Sequence, residues 1–296
     1  MKIFSTGWSN GFDGPGRRWV VYLKGCNLRC RWCANPESLA SGSQMLFYPE
    51  RSGNVGRVCP YDAVYIIEGR YRLDRNICES CVDRPCVNKW HSPSFELAGV
   101  DISPNEVAAE VLRIKGLFGS RGGVTFGGGE ATLQLDELLE TAALLRGKCH
   151  LAVETNGSSE QLEKVVEAFD LVIIDMKCVS DDMALQWTGA KASKIVANIK
   201  SAAKAGKDMI IRIPLVKGFN DGENERQKIA DSLSDIAAAH HNVSVEIIRM
   251  HHIGKPKYDA LDMPYGAENI SAPTMAEADL FAGFLVSKGI KAKLVS

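Results

Sequence analysis

The chain lacks the features that would direct it to a membrane or to a polyanion. Its 296 residues contain no apolar run long enough to cross a bilayer, and residues 1–7 lack the apolar core of a signal peptide. Lys and Arg number 35 against 36 for Asp and Glu, so the net charge of −1 gives no reason to expect a nucleic-acid partner. We therefore expect a cytoplasmic protein that binds neither nucleic acid nor membrane.

Signs of disorder and repetition are also missing. Hydrophobic residues make up 45% and charged residues 24% of the chain, which suits one sizeable globular core with room for an insertion. The sequence has no low-complexity tract and no internal repeat of about 20 to 50 residues, so a solenoid is excluded. We expect a monomer.

Cysteine, in contrast, is plentiful. Nine cysteines without a secretory signal favour reduced thiols that bind metal over a disulfide scaffold. Seven of them precede residue 87, so we expect the metal chemistry in the N-terminal part of the chain. We expect the other two, Cys149 and Cys178, to be small apolar residues of the core.

The first three cysteines, Cys26, Cys30 and Cys33, have the spacing C-x3-C-x2-C. Thiolates are the usual ligands of iron–sulfur clusters, and three of them on a four-iron cubane leave one iron open to a small molecule. The alternative is a zinc knot, but zinc sites usually pair two cysteine hooks, and no fourth Cys or His lies beside this loop. The loop therefore predicts a 4Fe–4S cluster with one reactive iron.

The pattern of apolar residues predicts an α/β fold. Helical and strand-like segments alternate from about residue 103, which is typical of βα units around a parallel sheet. Six such units are too few for a closed eight-stranded barrel, so we predict a partial (β/α)6 TIM-like barrel, with its chemistry at the carboxyl ends of the strands. The predicted strands are residues 19–23, 123–126, 150–154, 171–176, 209–216, 244–250 and 292–295.

Three regions follow from this alternation. Residues 1–40 hold the first strand and the three-cysteine loop, residues 41–102 form a ferredoxin-like, cysteine-rich insertion, and residues 103–296 complete the barrel. Within the insertion, residues 63–74 resemble a β-hairpin with Glu68-Gly69 at its turn.

A glycine run, Gly127-Gly128-Gly129, follows the second predicted strand and precedes Glu130. Glycines let the backbone approach a ligand, and a carboxylate can pair with an ammonium group. Alone, such a run is more often a tight turn. Further segments follow in a fixed order: Asp13-Gly14-Pro15-Gly16, Cys33-Ala34-Asn35-Pro36-Glu37-Ser38, Gly122-Gly123-Val124-Thr125, Glu154-Thr155-Asn156-Gly157, Asp175-Met176-Lys177, Arg212-Ile213-Pro214, Gly218-Phe219-Asn220-Asp221, and His251 before Gly254 and Lys257-Tyr258.

Together these segments resemble the glycyl-radical-enzyme activating enzymes, a radical S-adenosylmethionine (SAM) family, from residue 13 to about residue 265. The resemblance implies a radical SAM barrel in which the cluster reductively cleaves SAM to methionine and a 5′-deoxyadenosyl radical. That radical would remove a Cα hydrogen from a glycine of a partner glycyl radical enzyme. Flavodoxin or ferredoxin would supply the electron.

The resemblance also implies site residues. Cys26, Cys30 and Cys33 would hold the cluster, with Lys177 and His251 as further catalytic residues. The SAM pocket would take Trp32 and Ala34 beside the adenosyl group, Gly128, Gly129 and Glu130 at the methionyl amine, and Asp175, Met176, Lys177, Arg212 and His251 around them. Glu154 and Asp175 would help bind a monovalent cation against the SAM carboxylate; the alternative is that they are charges at the barrel rim, with Lys177 as a partner of one of them.

The insertion retains part of a two-cluster ferredoxin pattern, in which two C-x2-C-x2-C-x3-C-P runs exchange their fourth cysteines. Ser52 and Val55 replace the first two cysteines of run one, and the third is deleted; Trp90 replaces the last of run two. The lost positions are the ligands of one cluster. We therefore predict a single auxiliary 4Fe–4S cluster on Cys59, Cys78, Cys81 and Cys86, with structural zinc as the rival.

Two other functions stay open. One keeps the radical chemistry but modifies a small molecule or a peptide. The other is an electron-transfer protein with two clusters and no SAM chemistry, in which case Gly128-Gly129-Glu130 would lack a purpose.

Overall fold

The computed structural model describes residues 1–52, 55, 58–240 and 242–295. Its strands, in chain order, are β1 (Lys2–Asn10), β2 (Arg17–Leu23), β3 (Gln44–Phe47), β4 (Val64–Ile67), β5 (Arg70–Leu73), β6 (Phe95–Ala98), β7 (Val100–Asp101), β8 (Gly123–Gly128), β9 (His150–Thr155), β10 (Leu171–Asp175), β11 (Asp208–Leu215), β12 (Val243–Arg249) and β13 (Ala292–Val295).

The helices are α1 (Arg75–Ser80), α2 (Pro85–Asn88), α3 (Pro104–Ile114), α4 (Leu135–Leu145), α5 (Leu162–Ala168), α6 (Asp181–Thr188), α7 (Ala192–Ala203), α8 (Glu223–Ala239), α9 (Lys255–Ala260) and α10 (Met275–Ser287). Capping boxes begin α3 at Ser103 with Glu106, and α10 at Thr274 with Glu277. The described part of the chain contains no helix with the length and apolar character of a membrane span.

One large sheet organises the molecule. Its strand order is β13-β12-β11-β10-β9-β8-β2-β1-β7, with two separate edges, so the sheet is open rather than a closed barrel. Strand β2 and strands β8 to β13 pair in parallel. The predicted parallel α/β fold is therefore confirmed.

Strand β1 was not predicted from the sequence. It pairs antiparallel with β2, and its Trp8 lies opposite Trp19 with ring centroids 5.2 Å apart. Its residues are too mixed in character to form an apolar run, so its conformation depends on the partner strand rather than on local sequence.

Alternation along the parallel strands separates an apolar face from a charged one. On β11, Ile211 and Ile213 belong to the main hydrophobic core, whereas Arg212 between them faces the other side of the sheet. Arg212 lies opposite Glu246 of β12 in the strand register. The side of the sheet away from the helices is therefore charged toward the carboxyl ends of the strands, whereas an apolar cluster that includes Ile173 and Ile210 lies toward the amino ends.

The cysteine-rich region contains two small two-stranded sheets, β3 with β6 and β4 with β5. Both turn residues of the predicted hairpin have positive φ, 49° at Glu68 and 73° at Gly69. This is the backbone that a two-residue type I′ turn requires. The structure thus contains the hairpin, while the boundaries of the three sequence regions stay a prediction.

Candidate active site

The carboxyl ends of the parallel strands surround a cavity of about 250 Å³, called here the first cavity. Parallel strands bring the loops that follow them to one edge of a sheet, which is the usual place for an active site. Twelve residues expected at the site line this cavity: Cys26, Cys30, Trp32, Cys33, Ala34, Gly128, Gly129, Glu154, Asp175, Lys177, Arg212 and His251. Glu130 and Met176 do not.

The three cysteines lie in a loop that is fixed on both sides. Gly25 N donates to Ser38 O at 2.7 Å, while Arg29 N donates to Thr188 O at 2.7 Å and Arg31 N to Trp187 O at 3.0 Å. The loop is therefore bonded to the residues that follow it and to the end of α6. All three thiols are free of disulfides.

The thiols fit a cluster with three protein ligands. Burial raises the pKa of Cys30 to about 12 and that of Cys33 to about 11, and Lys177 opposes both shifts. No three Cys, His, Asp or Glu side chains among the described residues converge on a single metal-ion position. A cubane binds each thiolate through a different iron, so its ligands surround a space, as these three do around the first cavity.

Asp175 and Lys177 form an ion pair in the lining of the same cavity. Their side-chain oxygen and nitrogen are 2.6 Å apart, and the lysine side chain is only 11% exposed. Burial alone would lower the pKa of Lys177, but the Asp175 carboxylate outweighs it and raises the pKa above the usual value. The charged form of this lysine is therefore favoured, and it lines the same cavity as the three cysteines.

A second charged group lies across β9, β11 and β12. Arg212 donates to Glu154 at 2.5 Å and to Glu246 at 3.1 Å, and it also contacts the carbonyl oxygen of Phe12. Burial raises the pKa of Glu154, and the guanidinium opposes that shift. Glu154 and Asp175 each contact a protein cation through one carboxylate oxygen, and the expected monovalent cation stays a prediction.

The structure differs from expectation at Glu130. This residue is 0% exposed, and its two carboxylate oxygens accept hydrogen bonds from Thr132 N and Oγ1, Thr155 Oγ1 and Asn156 N, at 2.6 to 3.0 Å. A carboxylate that is already bonded to four protein donors is not directed at a ligand. Glu130 instead holds the loops that follow β8 and β9.

Met176 is likewise turned away from the cavity. Its side chain is 0% exposed and belongs to the main hydrophobic core, and its amide donates to Arg212 O at 2.9 Å. A short motif gives the order of residues but not which of them turns inward, because that depends on the neighbouring strand.

The two glycines at the cavity are needed for close packing. A Cβ on Gly129 would lie 2.1 Å from Gly25 O, and one on Gly128 would lie 2.8 Å from the backbone of Leu23. Gly129 N donates to Leu23 O at 2.9 Å. The glycine run therefore brings the end of β8 against the cysteine loop.

Sequence reasoning did not assign site roles to Thr155, Asn156 and Arg249, which also line the first cavity. Thr155 and Asn156 directly follow Glu154 at the end of β9, and Arg249 ends β12 two residues before His251. These positions at strand ends are the signal that could have identified them. His252, by contrast, bonds through its ring nitrogen to the hydroxyl of Tyr265 at 3.0 Å and does not line the cavity.

Four further cysteines, Cys59, Cys78, Cys81 and Cys86, line a separate cavity of about 20 Å³. Asp74 caps α1 by accepting from Asn76 N at 2.9 Å, which sets the helix that carries Cys78 and leads to Cys81. None of the four is in a disulfide. Four thiols around one space match the donor set of a four-iron cluster. Zinc takes the same donors, but it needs them to converge on one ion, and no three of them do so among the described residues.

Comparison with known proteins agrees with this arrangement. The model of the Radical SAM superfamily matches residues 20–231, which is more than half of the chain. The chain belongs to the radical SAM superfamily. A radical SAM methyltransferase from Sphaerobacter thermophilus shares the fold, with a TM-score of 0.52 and 16% identity over 66% of this chain and 57% of that one.

Curated relatives of this radical SAM enzyme are activating enzymes. The trans-4-hydroxy-L-proline dehydratase activating enzyme of Clostridioides difficile is 34% identical over 88% of each chain. The benzylsuccinate synthase activating enzyme of Thauera aromatica is 32% identical, over 84% of this chain and 78% of its own. The 4-hydroxyphenylacetate decarboxylase activating enzyme of C. difficile strain 630 is 30% identical, over 86% of this chain and 83% of its own.

Glu130 gives a test of its placement. Glu130→Ala should lower the free energy of unfolding by about 3 kcal/mol, because it leaves several buried donors without an acceptor. Anaerobic urea unfolding measures this, and equilibrium dialysis measures SAM affinity. Unchanged stability with lost SAM binding would instead show that Glu130 binds SAM.

Proposed function

We propose that this chain activates a glycyl radical enzyme by removing the Cα hydrogen from one of its glycines. The observation that carries the proposal is the first cavity, in which three half-buried thiols and the Asp175–Lys177 pair share one lining at the carboxyl ends of the strands. The activating-enzyme relatives, similar over most of their length, support the same reaction.

Cys26, Cys30 and Cys33 would hold the 4Fe–4S cluster. When bound, that cluster supplies the electron that splits SAM into methionine and the 5′-deoxyadenosyl radical. The protein's part is to bind and orient SAM and to keep water away. Buried walls such as Trp32, which is 8% exposed, serve the last purpose.

The charged residues would orient SAM. Lys177 presents a positive charge that its Asp175 partner keeps in place, and Arg212 is fixed by Glu154 and Glu246. The glycine run allows the backbone of Gly128 and Gly129 to border the same space. His251 follows β12 and would border it from the opposite side.

Two accessory components complete the proposal. Flavodoxin or ferredoxin would deliver the electron to the protein, which would act as a monomer. Cys59, Cys78, Cys81 and Cys86 would hold an auxiliary 4Fe–4S cluster, supported by their position around one cavity. The rival metal in that site is zinc.

The reaction can be tested directly. Anaerobic protein reconstituted with iron and sulfide, then reduced in the presence of SAM, should form 5′-deoxyadenosine. With its glycyl radical enzyme it should also produce a glycyl-radical EPR doublet. Cys30→Ala should abolish both signals, because it removes a cluster ligand. Cys149→Ala is the control and should retain them, because Cys149 lines neither the first cavity nor the small cavity of the four other cysteines. 5′-Deoxyadenosine without any glycyl radical in the partner would contradict the proposed substrate.

The auxiliary site has its own test. The double variant Cys78→Ala, Cys81→Ala should lower the iron content from about eight to about four atoms per chain, since each cubane holds four. Dithionite-driven cleavage of SAM should persist, because the first cavity is intact. Zinc that disappears with these cysteines, at unchanged iron content, would establish the zinc site instead.

A further inference from the structure

Lys177 lies just beyond the point where the pairing of β10 with β11 stops. The parallel register of these strands ends with Asp175 opposite Arg212, and Met176 N adds one more backbone hydrogen bond, to Arg212 O at 2.9 Å. The next bond of a parallel ladder would need an N–H group at Pro214, which proline does not have. The backbone that carries Lys177 therefore needs another source of hydrogen bonds.

Asn220 supplies these hydrogen bonds through its side chain. Its Nδ2 donates to Lys177 O at 2.7 Å and to Pro214 O at 2.8 Å, and its Oδ1 accepts from Val216 N at 2.9 Å. A side-chain amide has two N–H donors, and both are used here. One side chain thus joins the ends of two neighbouring strands at the edge of the sheet where the first cavity lies.

The turn that carries Asn220 is itself closed by hydrogen bonds. Asn220 N donates to Val216 O at 3.2 Å, and Gly218 N donates to the side chain of Asp221 at 2.8 Å. Gly218 has a φ of 74°, a conformation that glycine adopts without strain. The turn therefore holds the amide group of Asn220 in place for its bond to Lys177.

Asn220 is placed to act on a ligand only through other residues. Its side chain is 0% exposed and does not line the first cavity, whereas Lys177 does. The residues after Lys177 are fixed separately, because Glu225 accepts from Val179 N at 2.5 Å and from Ser180 N at 3.0 Å. Any effect of Asn220 on SAM must therefore pass through the residues that it holds.

We propose that Asn220 is a positioning residue for SAM binding, which it supports by fixing the backbone of Lys177. The inference rests on the SAM-orienting role of Lys177 in the proposed function, and it does not depend on which protein receives the radical. Asp175 holds the ammonium end of Lys177, with the two charged atoms 2.6 Å apart, and Asn220 holds the backbone end. A lysine that is ordered at both ends loses less freedom when a ligand binds.

Asn220→Ala is the decisive variant. It removes both donors from the carbonyl oxygens of Lys177 and Pro214 and leaves the charge of the site unchanged. Asn220→Asp serves if the alanine variant does not fold. It keeps the shape and the acceptor for Val216 N, but it replaces the donor group with a second oxygen.

Leu145→Ala is the control for lost stability alone. Leu145 ends α4, is 0% exposed, belongs to the main hydrophobic core and does not line the first cavity. Truncation of a buried leucine leaves a void and destabilises the fold. Anaerobic urea unfolding measures the stability of each variant, and iron analysis checks that each retains its iron.

A double-mutant cycle with Lys177→Met tests the route. The SAM dissociation constant of reconstituted holoenzyme is measured by equilibrium dialysis. Asn220→Ala should weaken SAM binding at least about fivefold in wild type but less than about twofold in the Lys177→Met background, because residues that act as a unit are not additive. Leu145→Ala, at a distant site, should change the affinity less than about twofold. Dithionite-driven formation of 5′-deoxyadenosine at saturating SAM should be retained in Asn220→Ala, so that KM rises and kcat does not fall.

Four results would overturn the inference. Unchanged SAM affinity in Asn220→Ala would make the side chain only a structural contact. An equally large loss in the Lys177→Met background would show that Asn220 does not act through Lys177. A similar loss in Leu145→Ala would make the effect one of general stability. Unchanged affinity in Lys177→Met would remove the residue through which Asn220 is held to act.

The proposed function has a separate outcome. The cycle is measured without a partner protein, so it does not depend on glycyl-radical formation. Wild type that forms 5′-deoxyadenosine but no glycyl radical in a partner enzyme would contradict the proposed protein substrate and leave the role of Asn220 standing.

Discussion

The contact on which the site depends is the one between the cysteine loop and the glycine run. Glu130 N donates to Gly25 O at 2.8 Å, while the Glu130 carboxylate accepts from the loop after β9 at Asn156 N. Asn156 Nδ2 in turn donates to Asn27 Oδ1, inside the cysteine loop, at 2.9 Å. Glu130 thus joins three loops through its amide and its buried carboxylate, and the three thiols line a single cavity because those loops are fixed.

The charges of Arg212 and Lys177 are tolerated because they are paired. Arg212 contacts two carboxylates, and Lys177 contacts one, so each of these two buried cations has a bonded anion. The apolar residues on the other face of the same strands pack against the helices. One face of the sheet therefore packs against the hydrophobic core, and the other contributes the charged lining of the first cavity.

The cysteine-rich region lines two cavities besides the first cavity. Its four thiols surround a small space, and Phe47 and Phe95, with ring centroids 5.2 Å apart, belong to the hydrophobic cluster that packs around it. The same region supplies Tyr48, Arg51 and Glu96 to a larger cavity of about 580 Å³, which shares Gly128 and Glu154 with the first.

The sequence by itself determined the parallel α/β fold, the hairpin at Glu68-Gly69 and the position of most site residues at strand ends, because periodicity, turn chemistry and chain order are local properties. The tertiary structure alone decided that Glu130 and Met176 point into the packed interior rather than into the first cavity, and that β1 joins the sheet. It also paired Glu37 with Lys257, 220 residues away. Such outcomes depend on contacts between residues that are far apart in the chain, and residue spacing does not determine those contacts.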